Sequence, residues 1–591
     1  MLRKLLIGGL LALAFAAPAA AQTTLMPGVT YERGVQFTPH GPVAIHVVRG
    51  PRPTGLYALR PVLSNETIEG TERVTAMQKR LSPTATMVGV NGDFFAASGR
   101  PSGVLMRDGV VDSPPYGDRS SVGSTPEGAL DVRRVEFFGT WRGFGQRRAL
   151  NDLNQSPGPN GISLFTSAYG PATPAQAGVT EVVIFPFPPT TPNTDLTGPV
   201  IQVAGAGGTP IPQGGAVLVA RGTAAARLAE EAPVGTNVTL RIIFRPEWTG
   251  ITEAVGGGPV LVRSGGPVFR ANEAFSSNQL APRNPRTGVG QLVDGRILLV
   301  VTDGRRPGYS VGMTNFELAQ TLVRLGAVTG SALDGGGSST LAFDGSLLNR
   351  PSDPAGERPA ANALQLMYYG VYAPAPDAVI SPNGDGVAEQ QRQLSYKVVR
   401  LSTVTATLVA PDGLPIFTEN LLREPGTYPV AFPPAPADPL AEPAPPAEGR
   451  WQLDVTATDD LGRSSTTSQS FTVNSTLGFA KISRRNLVVR VRGKQTIQAG
   501  VSLTRSARVS ATVETTSGVQ VATILTSRAT AGRFIATWRG TTRGGRSFVY
   551  GGLYVVRFRA TNELGAVDVV SPAFRVIRAA PVPVKKPKSK R

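Results

Sequence analysis

Residues 333–340 read LDGGGSST, and this stretch decides how the first half of the chain is interpreted. An apolar stretch at residues 328–333 leads into it. Three consecutive glycines let the backbone turn tightly and bring its N–H groups close to a ligand. With an aspartate before them and three hydroxyl residues after them, the loop suits an oxyanion or a phosphate held by backbone amides. A surface turn capped by its own Asp and Ser side chains is the competing interpretation.

The order helix, strand and acidic glycine loop occurs twice in the chain. Residues 71–81 predict a helix and residues 85–90 a strand, and NGDFF follows at residues 91–95. A second helix is predicted from about residue 315 to 325, where Thr314 and Glu317 form a capping box. Both acidic loops are therefore expected at strand ends, where side chains are often exposed for chemistry.

Cysteine is absent and histidine is rare, which limits the kinds of catalytic and metal site that the chain can form. The chain has no cysteine and only two histidines, His40 and His46. It therefore has no disulfide, no thiol nucleophile and no cysteine metal site. A Ser-His-Asp triad requires the N-terminal strand to reach the glycine loop, and His46 is interpreted instead as part of an ordinary strand. Chemistry is expected from carboxylates, arginines, hydroxyls and backbone amides.

The N-terminus and the charge predict an exported protein. Residues 1–21 combine a basic start, an apolar run and a small-residue cleavage site, the pattern of a secretory signal. No later segment has a membrane-length apolar run, so we expect a secreted, periplasmic or cell-envelope location with no transmembrane segment after signal cleavage. The net charge of +18 allows either nucleic acid or anionic envelope polymers as partners, and export favours the envelope polymers. We expect no nucleic-acid partner, because aromatic residues are not interleaved with the basic clusters.

A chain of 591 residues is too long for one core. The sequence pattern changes after residue 372, where a Pro-rich linker leads to short predicted strands of alternating polarity separated by turns. The predicted fold is multidomain, with an α+β catalytic domain followed by two all-β immunoglobulin-like sandwiches. The predicted boundaries are a signal peptide at 1–21, the catalytic domain at 22–372, the two sandwiches at 377–475 and 476–577, and a basic disordered tail at 578–591.

Six motifs occur in an order that resembles the phosphodiester glycosidase family over roughly residues 85–370. A second resemblance, carried by SPNGDG at residues 381–386 and by Trp538 and Tyr554, is to immunoglobulin-like modules of the flagellar-hook-capping type. Asn383 and Asp385 in that motif are interpreted as a turn rather than a calcium site. The six motifs are VNGDFF (90–95), PRTGVG (285–290), VTDGR (301–305), GMTNFELA (312–319), LDGGGSST (333–340) and RPAANA (358–363).

The resemblance implies that water removes a sugar, N-acetylglucosamine-like, from a sugar-1-phosphodiester in a phosphoglycan or related substrate. Breaking the C1–O bond releases a phosphate monoester, which is already a good leaving group. The site must then stabilise the departing phosphate and supply a carboxylate that supports an oxocarbenium-like centre or activates water. The catalytic candidates are ranked Asp334, Asp93 and Asp303. Glu317 is interpreted as structural, because the capping box explains it.

The remaining site candidates would bind the substrate. Arginine suits the phosphate, because its planar fork binds oxygens in pairs. No cofactor is assigned, the metal ligands are unknown, and a divalent cation, calcium or magnesium, is left open. The substrate-binding candidates are Asn91, Arg286, Arg305, Gly335, Gly336, Ser338, Ser339, Arg358 and Asn362.

Two other functions compete with the glycosidase. One is a phosphodiesterase that breaks P–O instead of C–O. The other is a non-catalytic envelope-binding or scaffold protein, which the predicted accessory modules and the basic charge favour. Against the scaffold, the acidic and arginine motifs keep all their polar residues.

Overall fold

The computed structural model describes residues 22–385, 394–435, 445–490, 495–542 and 548–579. The predicted signal peptide, Gly386 of the SPNGDG motif and the basic tail from residue 580 lie outside these ranges. Contacts between Cα atoms divide the chain into two compact units, Met1–Tyr369 and Gly370–Arg591. The division falls close to the predicted end of the first domain at residue 372.

The first unit is built from β-sheets, so the expectation of an α+β catalytic domain is wrong. The two helices predicted from sequence exist, but the chain between them folds mainly into further strands, and its Gly- and Pro-rich part at residues 137–212 contains no helix. The helical segments of the first unit, within the described residues, are the α-helices Val74–Leu81, Thr223–Glu231, Ser277–Leu280 and Asn315–Arg324 and the 3-10 turns Ser64–Glu66 and Gly336–Ser338.

Two sheets of the first unit carry the predicted acidic loops. One has eight strands, and the loops of Asp303 and Asp334 follow two of them. The other has five strands, and the loop of Asp93 follows its central strand. In spatial order the strands of the first are Gln22–Met26, Val29–Thr38, Gly41–Gly50, Ile297–Thr302, Arg286–Leu292, Ala327–Ala332, Val260–Arg263 and Gly266–Pro267, and those of the second are Ser346–Leu347, Leu341–Phe343, Thr86–Asn91, Asn362–Tyr368 and Tyr57–Leu63.

Two more sheets complete the first unit and enclose its largest apolar core, which contains Trp141, Phe244 and Trp248. One has eight strands: Arg148–Leu150, Glu136–Arg142, Asn237–Arg245, Asp195–Ala204, Val179–Ile184, Ala216–Arg221, Ile162–Thr166 and Asp152–Leu153. The other has five: Val110–Ser113, Leu105–Arg107, Glu253–Gly256, Ser120–Ser124 and Leu130–Arg134.

Helix Asn315–Arg324 packs against the first eight-stranded sheet and fixes the strand ends that carry the site. Its Leu318 and Leu322 are fully buried in one cluster with Leu298 and Val300 of the sheet. The predicted capping box is confirmed, because Thr314 accepts from the Glu317 N–H and the Glu317 carboxylate accepts from the Thr314 N–H. These bonds satisfy backbone donors that the first turn of a helix leaves without partners. Glu317 is therefore structural, as expected.

The described residues of the second unit form strands and no helix, in two pairs of sheets with separate apolar cores. The immunoglobulin-like assignment of the two modules stays a prediction. The sheets of the first pair are Val379–Ile380, Ser464–Val473, Gly449–Asp459, Ser402–Val409 and Pro415–Arg423, and Leu394–Val398 with Gly426–Val430. Those of the second pair are Leu477–Ile482, Ile497–Leu503 and Gly532–Trp538, and Asn486–Val489, Phe574–Arg578, Gly552–Asn562, Ala507–Thr515 and Gln520–Ala529, with Gly565–Val570 paired to Gly552–Asn562.

Residues 381–385 of the SPNGDG motif include a bend that contacts the following module. Asn383 donates from its side-chain amide to the Leu477 carbonyl over 3.0 Å. The Asp385 carboxylate accepts from the Phe479 N–H over 3.0 Å. Both side chains therefore bond to the strand Leu477–Ile482, as expected of turn residues rather than of ligands to an ion.

Candidate active site

The loops of Asp93 and Asp334 are bonded directly to each other. The Asp334 N–H donates to the Gly92 carbonyl over 3.0 Å, and the Asn91 side-chain amide donates to the Asp334 carbonyl over 2.7 Å. The two aspartates follow strands of two different sheets, Thr86–Asn91 and Ala327–Ala332. The fold thus brings together, from far apart in sequence, the two highest-ranked carboxylate candidates.

Asp93 is buried, and backbone donors hold its carboxylate in place. Its Oδ1 accepts from the Phe94 N–H over 2.8 Å and its Oδ2 from the Gly103 N–H over 2.6 Å. Gly256 approaches so closely that a Cβ at this position would lie 2.3 Å from Oδ2. Burial raises the pKa of Asp93 to about 7, against the two backbone hydrogen bonds, and the nearby charge of Asp334 adds to the increase.

Asp334 lines a cleft and is only partly buried. Burial raises its pKa to about 6, while interactions with the Ser338 hydroxyl and the Gly335 N–H and the charges of Arg358 and Arg119 act in the opposite direction. The Ser338 hydroxyl lies close enough to lower the pKa of Asp334, but it makes no hydrogen bond within the described residues. Asp334 is thus the carboxylate that a molecule in the cleft would meet.

The cleft has a volume of about 270 Å³. Phe94 and Phe275 form part of its wall, with ring centroids 5.4 Å apart. An aromatic wall beside polar groups is typical of sites that bind a sugar ring, since the ring's apolar face can pack on it. The lining residues are Phe94, Gly258, Pro259, Phe275, Asn278, Gln279, Leu280, Asn284, Arg286, Arg305, Asn315, Leu333, Asp334, Gly335 and Gly336.

Arg119 belongs to the site, although the sequence analysis did not select it. Its guanidinium carbon lies 4.3 Å from the ring centroid of Phe275 and 5.1 Å from that of Phe94. Its charge lowers the pKa of both Asp93 and Asp334, and it has no carboxylate partner among the described residues. Arg119 lies in the loop before strand Ser120–Ser124, where no motif in the sequence marks it.

Two of the predicted arginines line the cleft but differ in their partners. Arg286 is buried and donates to the backbone carbonyls of Gln279, Leu280, Pro282 and Met313. Burial, with the charge of Arg305 added, lowers the pKa of Arg286 to about 10. Arg305 is exposed, and only its Nε has a partner in the described residues, the Asn284 side-chain oxygen at 3.0 Å. Arg305 is therefore the freer of the two to bind an anion.

The glycine loop depends on its lack of side chains. Gly336 has a φ of 66°, which favours glycine, and a Cβ there would lie 2.9 Å from an Nη atom of Arg305. At Gly337 a Cβ would lie 2.2 Å from an Nη atom of Arg358. Arg358 reaches this loop while bound to Asp353 by two hydrogen bonds of 2.7 and 3.0 Å. Arg358 thus adds positive charge near Asp334, but a carboxylate already occupies its fork.

Asn91 and Asn362 hold the loops in place. The Asn91 side-chain oxygen accepts from the Thr287 hydroxyl and the Thr340 N–H, at 2.9 and 3.1 Å, and its amide binds Asp334. The Asn362 oxygen accepts from the Asp93 N–H over 2.8 Å. Asn91 is buried, and both its side-chain oxygen and its side-chain nitrogen bond to neighbouring loops, so it shapes the site instead of facing the cleft.

Several buried polar atoms around the glycine loop keep hydrogen-bonding capacity. The hydroxyls of Ser339 and Thr340, the Nδ2 of Asn362 and the Oδ1 of Asn315 make no hydrogen bond within the described residues. Buried polar groups in proteins are normally paired. This set therefore favours contact with ordered water or with a polar ligand, and Asn315 lies in the cleft wall itself.

Asp303 lies outside the cleft, within a separate buried network. Its Oδ2 is 3.0 Å from Nε2 of His46 and accepts from the Tyr309 hydroxyl over 2.7 Å, and its Oδ1 accepts from the Asn349 amide over 3.0 Å. Burial would raise the pKa of Asp303, but the hydrogen bond and charge of His46, with Tyr309 and Asn349, lower it overall. Asn349 also donates to the Ser339 carbonyl over 3.1 Å, which links Asp303 to the glycine loop.

The N-terminal strand does reach across to this region. His46 lies opposite Val301 in the neighbouring strand, one of the register pairs between Gly41–Gly50 and Ile297–Thr302. Its Nδ1 is 2.8 Å from the Tyr31 hydroxyl. Both ring nitrogens are thus used by Tyr31 and Asp303, and no serine hydroxyl completes a triad.

Within the described ranges, no group of three or more His, Cys, Asp or Glu side chains is arranged to hold a metal ion. No helix in the part of the chain that the structure describes combines the length and apolar composition needed to cross a bilayer.

Residues 194–367 match the model of the phosphodiester glycosidase family. The matched segment contains Asp303, Asp334, Arg286, Arg305, Arg358 and Asn362, and it begins after Asn91, Asp93 and Arg119.

The chain is similar to three known proteins, to different extents. An SPbeta prophage-derived uncharacterized protein of Bacillus subtilis, YomE, is 34% identical over 86 residues, which are 15% of this chain and 13% of that protein. A crystal structure of a hypothetical protein from Synechocystis superposes with a TM-score of 0.50 at 26% identity, over 60% of this chain and 64% of that one. The zebrafish N-acetylglucosamine-1-phosphodiester alpha-N-acetylglucosaminidase catalytic domain, auto-inhibited by its pro-peptide, reaches a TM-score of only 0.31 at 13% identity, over 59% of this chain and 86% of that one.

Proposed function

We propose that the first unit is a hydrolase that removes a sugar, N-acetylglucosamine-like, from a sugar-1-phosphodiester. One observation carries the proposal: the carboxylates of Asp93 and Asp334, both with raised pKa values, meet beside Arg119 and Arg305, which have no carboxylate partner among the described residues. In such a substrate the phosphodiester group supplies the negative charge that the arginines bind. The sugar supplies the electrophilic carbon on which the carboxylate acts. The family match of residues 194–367 supports the same reaction class.

In this proposal Asp334 acts on the sugar, because it is the carboxylate in the cleft wall. When ionised, it supports positive charge at C1 or accepts a proton from the attacking water. The C1–O bond breaks, its electron pair stays on the phosphate oxygen, and the products are the free sugar and a phosphate monoester. Asp93 has the higher pKa of the two carboxyl groups and holds a proton near neutral pH. The Asp93–Asp334 pair therefore titrates as a coupled unit.

The phosphate is held by guanidinium groups. Arg305 in the cleft wall and Arg119 beside the rings of Phe94 and Phe275 offer the donors. The Gly336 N–H already donates to the Pro285 carbonyl over 2.8 Å, and the Gly335 N–H interacts with the Asp334 carboxylate, so these two amides hold the loop. Phe94 and Phe275 provide a wall for the sugar ring. In the same proposal the enzyme is exported, acts on envelope or extracellular glycopolymer, and has its catalytic domain at residues 22–372.

Hydrolysis of UDP-N-acetylglucosamine tests the assignment. Asp334→Asn is expected to lower kcat/KM by about 10²-fold or more, as for the loss of a general acid–base group. Asp294→Asn is the matched control, because Asp294 is exposed and pairs only with the nearby Arg296. Equal turnover by the wild type and a folded Asp334→Asn variant would refute the catalytic role.

Isotope labelling separates the glycosidase from a phosphodiesterase. In water enriched in oxygen-18, cleavage of C1–O places the label on the released sugar. Cleavage of P–O places it on the phosphate product, and mass spectrometry of both products reads the outcome. Absence of hydrolysis by the wild type across a panel of sugar-1-phosphodiesters would favour the non-catalytic alternative.

A further inference from the structure

The positive charge of the chain is concentrated at its C-terminal end. Residues 476–591 contain 22 Lys and Arg but only three acidic residues, Glu514, Glu563 and Asp568. The whole chain has 59 basic and 41 acidic residues, so the part before residue 476 is close to neutral. Seventeen of the 22 lie in residues 476–579, thirteen of them among the residues that the structure describes, and the other five lie in the tail.

The module before it has the opposite balance. Residues 377–475 contain 6 basic and 12 acidic residues. Both segments fold into strands with their own apolar cores. A strand-rich module therefore does not need an excess of basic residues to fold. The positive charge of the module at residues 476–579 calls for another explanation.

The three acidic residues of the basic module are already in use. Glu514 pairs with Arg557, Glu563 with Arg505 and Asp568 with Arg559. The other basic side chains that the structure describes in this module are exposed and have no carboxylate partner among the described residues. They are Lys481, Arg484, Arg485, Arg490, Arg508, Arg528, Arg533, Arg539, Arg575 and Arg578.

Two of these arginines face each other directly. Arg508 and Arg528 are register partners on the neighbouring strands Ala507–Thr515 and Gln520–Ala529. Like charges at opposed positions of a sheet destabilise it, so the pair is costly unless an anion lies between the two side chains. The arginines border a surface cavity of about 600 Å³ whose other lining residues are Ser506, Ala507, Thr526, Ser527, Ala529, Thr561, Asn562 and Glu563.

We propose that the sheet face around Arg508 and Arg528 binds a carbohydrate polymer that carries phosphodiester groups. Arginine forks pair with phosphate oxygens, and the exposed hydroxyls of Thr526 and Thr561 suit sugar or polyol hydroxyls. No aromatic side chain lines this cavity, whereas proteins that bind single-stranded nucleic acids stack bases on aromatic rings. The chemistry therefore favours a phosphate-bearing glycopolymer over a nucleic acid.

The consequence is retention of the enzyme on its own substrate. A bound second module raises the local concentration of polymer around the first unit without any new contact in the active site. The charge argument stands without the proposed function, but the choice of a phosphodiester-linked glycopolymer rests on it.

Binding of the full-length protein to poly(glycerol phosphate) tests the proposal, with single-stranded DNA of equal phosphate count as the second probe. The test variant is Arg508→Gln/Arg528→Gln. The control is Arg142→Gln/Arg263→Gln, which removes two exposed first-unit arginines that also lack a carboxylate partner in the described residues. We expect about a tenfold loss of affinity for the test variant, a salt dependence shallower by about 1.5 units of log K per log salt because two phosphate contacts are lost, and no change for the control.

Equal affinities for the test and control variants, or no binding by the wild type at physiological salt, would overturn the proposal. Tighter binding of the wild type to the DNA probe would replace it with a nucleic-acid surface. Hydrolysis of UDP-N-acetylglucosamine by the same preparations keeps the two proposals apart. The test variant should hydrolyse this small substrate at the wild-type rate, and failure of the wild type to do so would refute the active site but not the binding surface.

Discussion

Beyond the effect of burial, the charge of Asp334 raises the pKa of Asp93. The two aspartates follow strands of different sheets, and the hydrogen bond from Asp334 to Gly92 keeps the loops together. A pair of carboxylates with pKa values of about 7 and about 6 can hold one proton between them near neutral pH. This arrangement places an ionised carboxylate in the cleft wall, at Asp334, with a protonated carboxyl group buried behind it, at Asp93.

The first prediction concerns the pH dependence of hydrolysis. We expect kcat/KM to rise with an apparent pKa near 6, as the pair loses its first proton, and to fall with one near 7, as it loses the second. Asp93→Asn should remove the alkaline limb from the residual activity, because only Asp334 then titrates. An alkaline limb that persists in this variant would assign the second proton to another group. Thermal unfolding, measured in parallel, checks that the variant is folded.

The second prediction compares Arg286 with Arg305. Arg286→Gln should lower the melting temperature by several degrees, because four backbone carbonyls lose a charged donor. Arg305→Gln should leave the melting temperature unchanged and raise KM about tenfold, since its Nη atoms have no partner in the described residues. Calorimetry and steady-state kinetics on both variants separate the roles. The reverse pattern would mean that Arg286 is the anion-binding residue.

The third prediction concerns Arg119. Its positive charge lowers the pKa of Asp93 and of Asp334. Arg119→Gln should therefore shift both limbs of the pH profile upward and raise KM, whereas Arg119→Lys should keep the profile and raise KM less. Arg142→Gln serves as the charge-matched control on the surface. A profile that does not move in Arg119→Gln would exclude an electrostatic role for Arg119.

The fourth prediction concerns stability. The pKa of Asp303 is lowered in the folded state from 3.8, so its ionised form contributes stability above about pH 4 that is lost as the pH falls through the lowered value. Asp303→Asn should therefore destabilise the protein by about 2 kcal/mol at pH 7, because the Tyr309 and Asn349 donors lose a charged acceptor. The difference from the wild type should shrink below pH 4, as calorimetry at both pH values can show. A difference that is the same at both pH values would assign the loss to packing or neutral hydrogen bonds.

Local signals in the sequence were sufficient for part of the fold and the site. The capping box of Thr314 and Glu317 located a helix to within a residue, because capping depends only on neighbours in the chain. Glycines after an apolar strand located Asp334 in the same way. Both features are encoded within about ten residues, which is the range that pattern reasoning covers.

Pairings between distant segments escaped the sequence analysis. The strand containing His46 pairs with residues 297–302, and no local pattern predicts that His46 bonds to Asp303. Arg119 reaches the site through its loop and the ring of Phe275, again from elsewhere in the chain. The α+β expectation was wrong for the same reason. Short strands between Gly- and Pro-rich turns show little periodicity, so the two recognisable helices received too much weight.

The buried amide of Asn91 has a practical consequence for mutational scanning. A library scored by hydrolysis would place Asn91 with the catalytic carboxylates, because its loss releases the Asp334 backbone and Thr340 together. A parallel score of protein abundance would not separate Asn91 from the catalytic carboxylates if the Asn91 variant still folds with a displaced loop. A ligand-affinity score separates the two roles: an Asn91 variant with a displaced loop should bind anions more weakly, whereas an Asp334→Asn variant should still bind them through Arg305.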